Sequence, residues 1–302
     1  MMGHTHSSSI SIPFISPYSH HLGFLGIGYE PEDLAATLQA CRDLLPAKLL
    51  KEQLLPIGVG FLTWNCSHEV AISGLLSNPP RAVWLFGIAS TAELGTWCNA
   101  VRSNLPSTLI FYQGGSLEDI TAAIELTAPG DKRPLIDAIV VQSSDAGGHG
   151  FARGASLMTL LPEVKDSIVE MKRTGKIPHD RVIPLLAAGG IMDSRGVAAV
   201  LALGADAAVL GTRLIATEES EAPDTFKELL VQAVDGGQTT ARSTLFDTLR
   251  GHGDWPPVYD GRAIVNKSYV EAELQGVSLE IVKERYQTAV QEGDFQRVAA
   301  YA

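Results

Sequence analysis

The sequence predicts an α/β fold: a (β/α)8 TIM barrel carrying a C-terminal helical and loop appendage. Three observations carry this. Seven short apolar, β-branched runs alternate with helical patterns. Most of those runs are continuously apolar, as strands covered on both faces should be. Two glycine-bearing turns, Ala187-Ala188-Gly189-Gly190-Ile191 and Leu210-Gly211-Thr212, close two successive units at equivalent positions.

In chain order the predicted strands are Leu22–Ile27, Pro56–Leu62, Ala82–Phe86, Thr108–Tyr112, Ile136–Gln142, Val182–Ala187 and Ala207–Leu210. Helical patterns fall between them at Pro31–Leu45, Ser67–Ser77, Ser90–Leu105, Ser116–Thr127, Ala155–Thr174 and Asp193–Leu203. Several open on Ser or Asp in the N-cap position, and Glu118 and Asp119 add early acids to one of them. Parallel strands joined by helices imply right-handed crossovers. An eighth strand has to come from Ser9–Ser16, yet only Pro17–His21 separate it from the next run. That is too short for a crossover helix, so the first β/α unit is expected to be degraded.

Beyond Thr212 the character changes. Glu218–Asp235 reads as an acidic helix, Gly236–Asp260 as a long loop rich in Gly, Thr, Pro and Trp, and Ser278–Tyr301 as helix. The expected organisation is a disordered tail over 1–10, a barrel over 11–220 and an appendage over 221–302 packed on it.

The 302 residues are 45% apolar and 19% charged, which suits a well-filled core. A net charge of −11, with the acids spread along the chain, speaks against nucleic acid or an anionic membrane as partner. No apolar run is long enough for a membrane helix. Cys41, Cys66 and Cys98 form no CxxC pair, and the N-terminus shows no signal pattern. Together these suggest a reducing, cytoplasmic setting. No metal site is expected; His4 and His6 read as part of a solvated tail.

Glycine at a strand end brings backbone N–H groups close to an anion, and two such turns on adjacent strands form a phosphate cup. Gly189, Gly190, Gly211 and Thr212 occupy the places where a barrel holds phosphate, at the C-terminal ends of its last strands. A lone glycine there is equally well explained as a tight turn; the pairing favours phosphate. The run Gln142-Ser143-Ser144-Asp145-Ala146-Gly147-Gly148-His149-Gly150 puts His149 between glycines at another strand end. Histidine titrates near neutrality and is the usual general base, against the plainer role of a loop hydrogen bond. Asp145 is placed either to orient His149 or to cap the loop. Gln113 and Gln142 are strand-end amides able to meet a flavin edge, with solvent exposure the plain alternative. Trp64, Trp84, Trp97 and Trp255 read as packing residues, Trp84 within the barrel core.

These motifs, with Gly23–Tyr29, Gly58-Val59-Gly60-Phe61-Leu62 and Tyr259-Asp260-Gly261-Arg262, resemble the nitronate monooxygenases (2-nitropropane dioxygenases) over roughly residues 22 to 300. The resemblance implies an FMN cofactor. Its phosphate would lie on Gly189, Gly190, Gly211 and Thr212, with Gln113, Gln142, Gly147 and Gly148 along the ribityl chain and ring. It implies His149 as the catalytic histidine that handles the proton α to a nitro group. The implied reaction uses O2 to turn a small nitronate or nitroalkane into a carbonyl compound and nitrite. The family opens with a strand, a Pro-Met-Gly-like turn and a helix; Ile12–His21 stand in that place here, which puts a shortened first unit and a weakened flavin site among the expectations. Flavin-dependent enoyl and quinone reductases that use NAD(P)H share much of the pattern and form a second reading. A barrel without catalysis, serving an auxiliary role in a pathway, is a third. Oligomeric state is not encoded in these motifs.

Overall fold

Continuous apolar runs become strands and each is followed by its helix, as the alternation predicts. A computed structural model describes residues 22–27, 31–50, 53–127 and 134–298. The tail over 1–10, the candidate strand Ser9–Ser16 and the turn before His21 lie outside the described residues.

The strands in order are β1 (Phe24–Gly26), β2 (Leu55–Leu62), β3 (Pro80–Phe86), β4 (Leu109–Gly114), β5 (Ala138–Gln142), β6 (Gly148–Phe151), β7 (Leu185–Ala188), β8 (Ala207–Val209), β9 (Thr240–Ser243) and β10 (Tyr259–Ile264). Seven of them form one parallel sheet in the order β1-β2-β3-β4-β5-β7-β8. Sequential neighbours pair in register, for example Val59 with Val83, Val83 with Ile110 and Tyr112 with Ile139. This is the strand order of a (β/α)8 barrel. The helices are α1 (Leu34–Leu44), α2 (His68–Leu75), α3 (Thr91–Asn104), α4 (Leu117–Glu125), α5 (Leu157–Arg173), α6 (Ser194–Ala202), α7 (Thr212–Ile215), α8 (Asp224–Gln232), α9 (Gly236–Thr239), α10 (Leu245–Arg250), α11 (Lys267–Tyr269) and α12 (Leu279–Glu292).

The predicted caps are made. Ser67, Ser90 and Ser116 each accept from the backbone N–H three residues on, and Asp193 accepts from Arg195 and Gly196. These bonds satisfy amides that a helix start otherwise leaves unpaired.

The chain divides into two compact units: 1–141 with 162–186, and 142–161 with 187–302. The first is a plain stack of β/α repeats. Leu34 and Leu38 of α1, Leu75 of α2, Leu94 and Cys98 of α3 and Ile120 of α4 are buried, as are Val59, Val83, Leu85, Ile110 and Ile139 on its strands. The three cysteines are free and buried. Burial pushes the Cys66 thiol up to about 11 and the Cys98 thiol up to about 12, so neither is a thiolate at neutral pH. Among the described residues no helix is long and apolar enough to cross a membrane.

The second unit departs from the sequence reading. The Gly236–Asp260 stretch, expected as a long loop, holds α9, β9 and α10 and ends in β10. The glycine run after β5, expected as an open loop, forms β6. The strands β6, β10 and β9 make an antiparallel sheet in that order, pairing Gly261 with both His149 and Ser243. The period-2 signal was hidden because β6 carries two glycines and β9 and β10 carry the arginines Arg242 and Arg262, neither of them exposed. α10 is anchored by Leu245 and Leu249 against Val282 and Tyr286 of α12, and by Phe246 against Ala263 and Tyr269.

Candidate active site

Every sequence-predicted site residue except Gln113 falls in the second unit. Gly189 and Gly190 follow β7, with φ of +119° and +69°. That backbone conformation is costly for any residue with a Cβ. A Cβ on Gly189 would lie 2.3 Å from Ser143 Oγ and 2.9 Å from Ala146 N, so the turn and the Ser143–Ala146 loop touch. The contact is fixed by Ser143 N–H donating to Ala188 O at 2.9 Å. Gly211 caps the single-turn α7 and Thr212 begins it, just past β8. Cβ atoms on Gly148 or Gly211 would meet nothing within 4 Å, so open space faces the backbone at both.

The Gln142–Gly150 run is held by unusual means. Two arginines paired across β9 and β10, Arg242 and Arg262, donate to its carbonyls. Arg242 Nη1 reaches Ser144 O at 3.4 Å and Ala146 O at 3.3 Å, and Arg262 Nη2 reaches Ser144 O at 3.0 Å. Arg242 also pairs with Asp260 at 2.6 Å, both side chains nearly buried. Burial, then the adjacent Arg242 charge, holds the Arg262 guanidinium below its usual range. Asp145, expected either to orient His149 or to cap the loop, lies in a serine turn: its N–H donates to Ser143 Oγ at 3.2 Å.

The carboxylate on His149 comes from elsewhere. Asp247 of α10 places Oδ1 2.8 Å and Oδ2 3.0 Å from His149 Nε2. The Asp247 side chain is 4% exposed and that of His149 14%. Trp255, read from sequence as a packing residue, stacks on the imidazole at 3.8 Å between centroids and 8° between planes. It contacts Tyr259 edge-on, and Tyr259 meets Phe151 likewise. Sequence reasoning missed Asp247, although an acid inside the apolar run Leu245-Phe246-Asp247-Thr248-Leu249 is a signal of a buried, paired charge.

The two amides differ. Gln142 is buried; its Nε2 donates to His149 O at 2.8 Å, while its Oε1 finds no partner among the described residues. Gln113, in the first unit, accepts at Oε1 from Trp84 Nε1 at 2.7 Å. Trp84, expected in the barrel core, is only partly buried and packs edge-on against Phe24.

A profile described as nitronate monooxygenase matches residues 107–247. Nitronate monooxygenase npaC of Metarhizium robertsii is 39% identical over 280 residues, which is 90% of this chain and 73% of that protein. The chain belongs to the nitronate monooxygenase family. A nitronate monooxygenase of Neurospora crassa is 33% identical over 259 residues, of which the match spans 82% of this chain and 65% of that protein. Two solved structures share the fold: FabK from Thermotoga maritima, with TM-score 0.64 and 22% identity over 93% of this chain and 76% of that one, and nitroalkane oxidase from Streptomyces ansochromogenes, with TM-score 0.62 and 23% identity over 93% and 81%. Membership makes the protein a flavin-using oxidoreductase. The residues present fit a flavin: an orphaned, buried amide oxygen on Gln142 is an acceptor suited to a ring N–H, and open space faces the backbone at Gly148 and Gly211.

Proposed function

We propose that the protein is an FMN-dependent monooxygenase that converts small nitroalkanes and alkyl nitronates, with O2, into carbonyl compounds and nitrite, with His149 as base. The observation that carries this reading is His149 itself: a nearly buried imidazole on a glycine-rich strand, in the same compact unit as the paired Gly189-Gly190 and Gly211-Thr212 turns. Those turns would take the FMN phosphate through backbone N–H groups. Gln142 Oε1 would accept from the ring, with Gly147 and Gly148 beside it. Gln113, the other amide of the expectation, belongs to the first unit and has its oxygen engaged by Trp84.

Bound FMN supplies the electron transfer between nitronate and O2. The chain supplies the proton step. In a nitroalkane the α C–H bond breaks, its electron pair moves into the nitro group, and the proton goes to His149. A preformed nitronate has already lost that proton and bypasses His149.

His149→Ala should therefore keep bound flavin and lower nitroalkane turnover by roughly 10²–10⁴-fold, with a much smaller loss on nitronate. Nitrite release reads both. Flavin bleaching by NADPH without air, with no nitrite from either substrate, would instead point to an enoyl or quinone reductase.

A further inference from the structure

We infer that Asp247, brought in by α10, is the positioning residue that fixes His149 in one tautomer, so that the basic atom is Nδ1. The inference rests on the reading of His149 as base.

Asp247 is 97% buried on a short helix pinned by Leu245, Phe246 and Leu249, so its carboxylate has no freedom to leave. Both of its oxygens converge on the one ring nitrogen, Nε2. An ionised carboxylate only accepts, so the hydrogen of that bond belongs to Nε2. A neutral imidazole protonated at Nε2 holds its lone pair at Nδ1. Trp255 lies flat on one ring face and holds the plane, so the ring cannot exchange its two nitrogens by flipping without breaking both contacts. His149 O accepts from Gln142, which fixes the backbone end of the same residue. Three separate contacts thus define where the lone pair lies.

In the proton step the α C–H bond breaks, a new N–H bond forms at Nδ1, and the imidazolium gains the Asp247 carboxylate as counter-charge. The proton leaves later to solvent. A residue whose only role was to hold α10 in place would affect every substrate alike. A positioning residue acts only where a proton moves.

Two measurements test this on the flavin-loaded protein. Nitrogen-15 histidine NMR of the wild type should show His149, when neutral, as the Nε2–H form. An Nδ1–H form would overturn the inference whatever the activity. Asp247→Asn, nearly the same shape, should lower nitroalkane turnover roughly 100-fold. It should also enlarge the isotope effect of an α-deuterated nitroalkane and leave turnover of the preformed nitronate within about threefold. Equal losses on both substrates, or none on nitroalkane, would contradict it. Retained nitroalkane turnover in His149→Ala would remove the base reading itself, whereas loss in His149→Ala but not in Asp247→Asn would remove only the part given to Asp247.

Discussion

Gln113 and Gln142 stand at the C-terminal ends of neighbouring strands and look interchangeable in sequence, yet the fold uses them differently. Gln113 gives its oxygen to Trp84 and so joins the core of the first unit. Gln142 gives its N–H to the His149 carbonyl and leaves a buried oxygen unpaired. A satisfied amide stabilises a fold, while an unsatisfied one costs about 1–3 kcal/mol unless a ligand completes it. The contrast extends to the units that hold them. One is a run of apolar repeats. The other adds to its apolar core strand-end glycines, two arginines on loop carbonyls and the buried acid Asp247.

The largest expected effect on stability is at the arginine clamp. Arg242→Met would leave Asp260 nearly buried without its ion-pair partner and release Ala146 O, while Ser144 O keeps its bonds from Arg262. Denaturant titration should show a loss of about 3–5 kcal/mol. If the loss is below about 1 kcal/mol, the clamp is not what holds the loop.

Gly189→Ala comes next. It combines a left-handed backbone with a Cβ 2.3 Å from Ser143 Oγ, so a loss of about 1–3 kcal/mol is expected, together with weaker flavin binding. Gly148→Ala pays for its φ but meets nothing, and should cost the smaller amount.

The glutamine pair itself gives a crossed prediction. Gln113→Met strands the Trp84 N–H and should cost about 1–3 kcal/mol of stability with little change in flavin affinity. Gln142→Met should weaken flavin about tenfold, read by fluorescence titration, with a smaller stability change. Reversed results would exchange the roles given to these residues.

The smallest effects are in pH. Burial, opposed by the hydrogen bond from Tyr112, pushes Asp119 of the first unit up to about 6. A raised carboxyl pKa makes the folded state bind the proton more tightly, so stability is fullest in acid and falls as pH rises from about 4 to about 6. Glu271 of the second unit does the opposite. Hydrogen bonds from Arg297, then Arg285, hold it at about 2, so its contribution is present above about 4.5 and is lost as pH falls towards 2. Thermal melts across pH should lose the first slope in Asp119→Asn and the second in Glu271→Gln.

The first unit was legible because its strands are mostly apolar and α2, α3 and α4 open on serine caps, so local signals suffice. The places of Gly189, Gly190 and Gly211, just past β7 and β8, were legible because a continuous apolar run stops before each. Asp247, Trp255, Arg242 and Arg262 were not. Asp247 meets His149 across 98 positions of chain, and the apolar run around it marks a buried charge without naming its partner. β6 and β9 escaped because glycine and arginine mask strand alternation, and their partner β10 comes late in the chain. A pairing set by distant segments leaves no period to read. Asp145, inside the motif, is in a turn, and the acid that reaches the histidine comes from the stretch expected to be loop.

The most direct test measures nitrite from a nitroalkane and from its preformed nitronate, side by side, in flavin-loaded wild type and His149→Ala. The account predicts that wild type releases nitrite from both and that the variant loses the nitroalkane reaction by at least roughly 100-fold while keeping most of the nitronate reaction. Equal rates on nitroalkane in the two proteins, or no nitrite from wild type with either substrate, would contradict it.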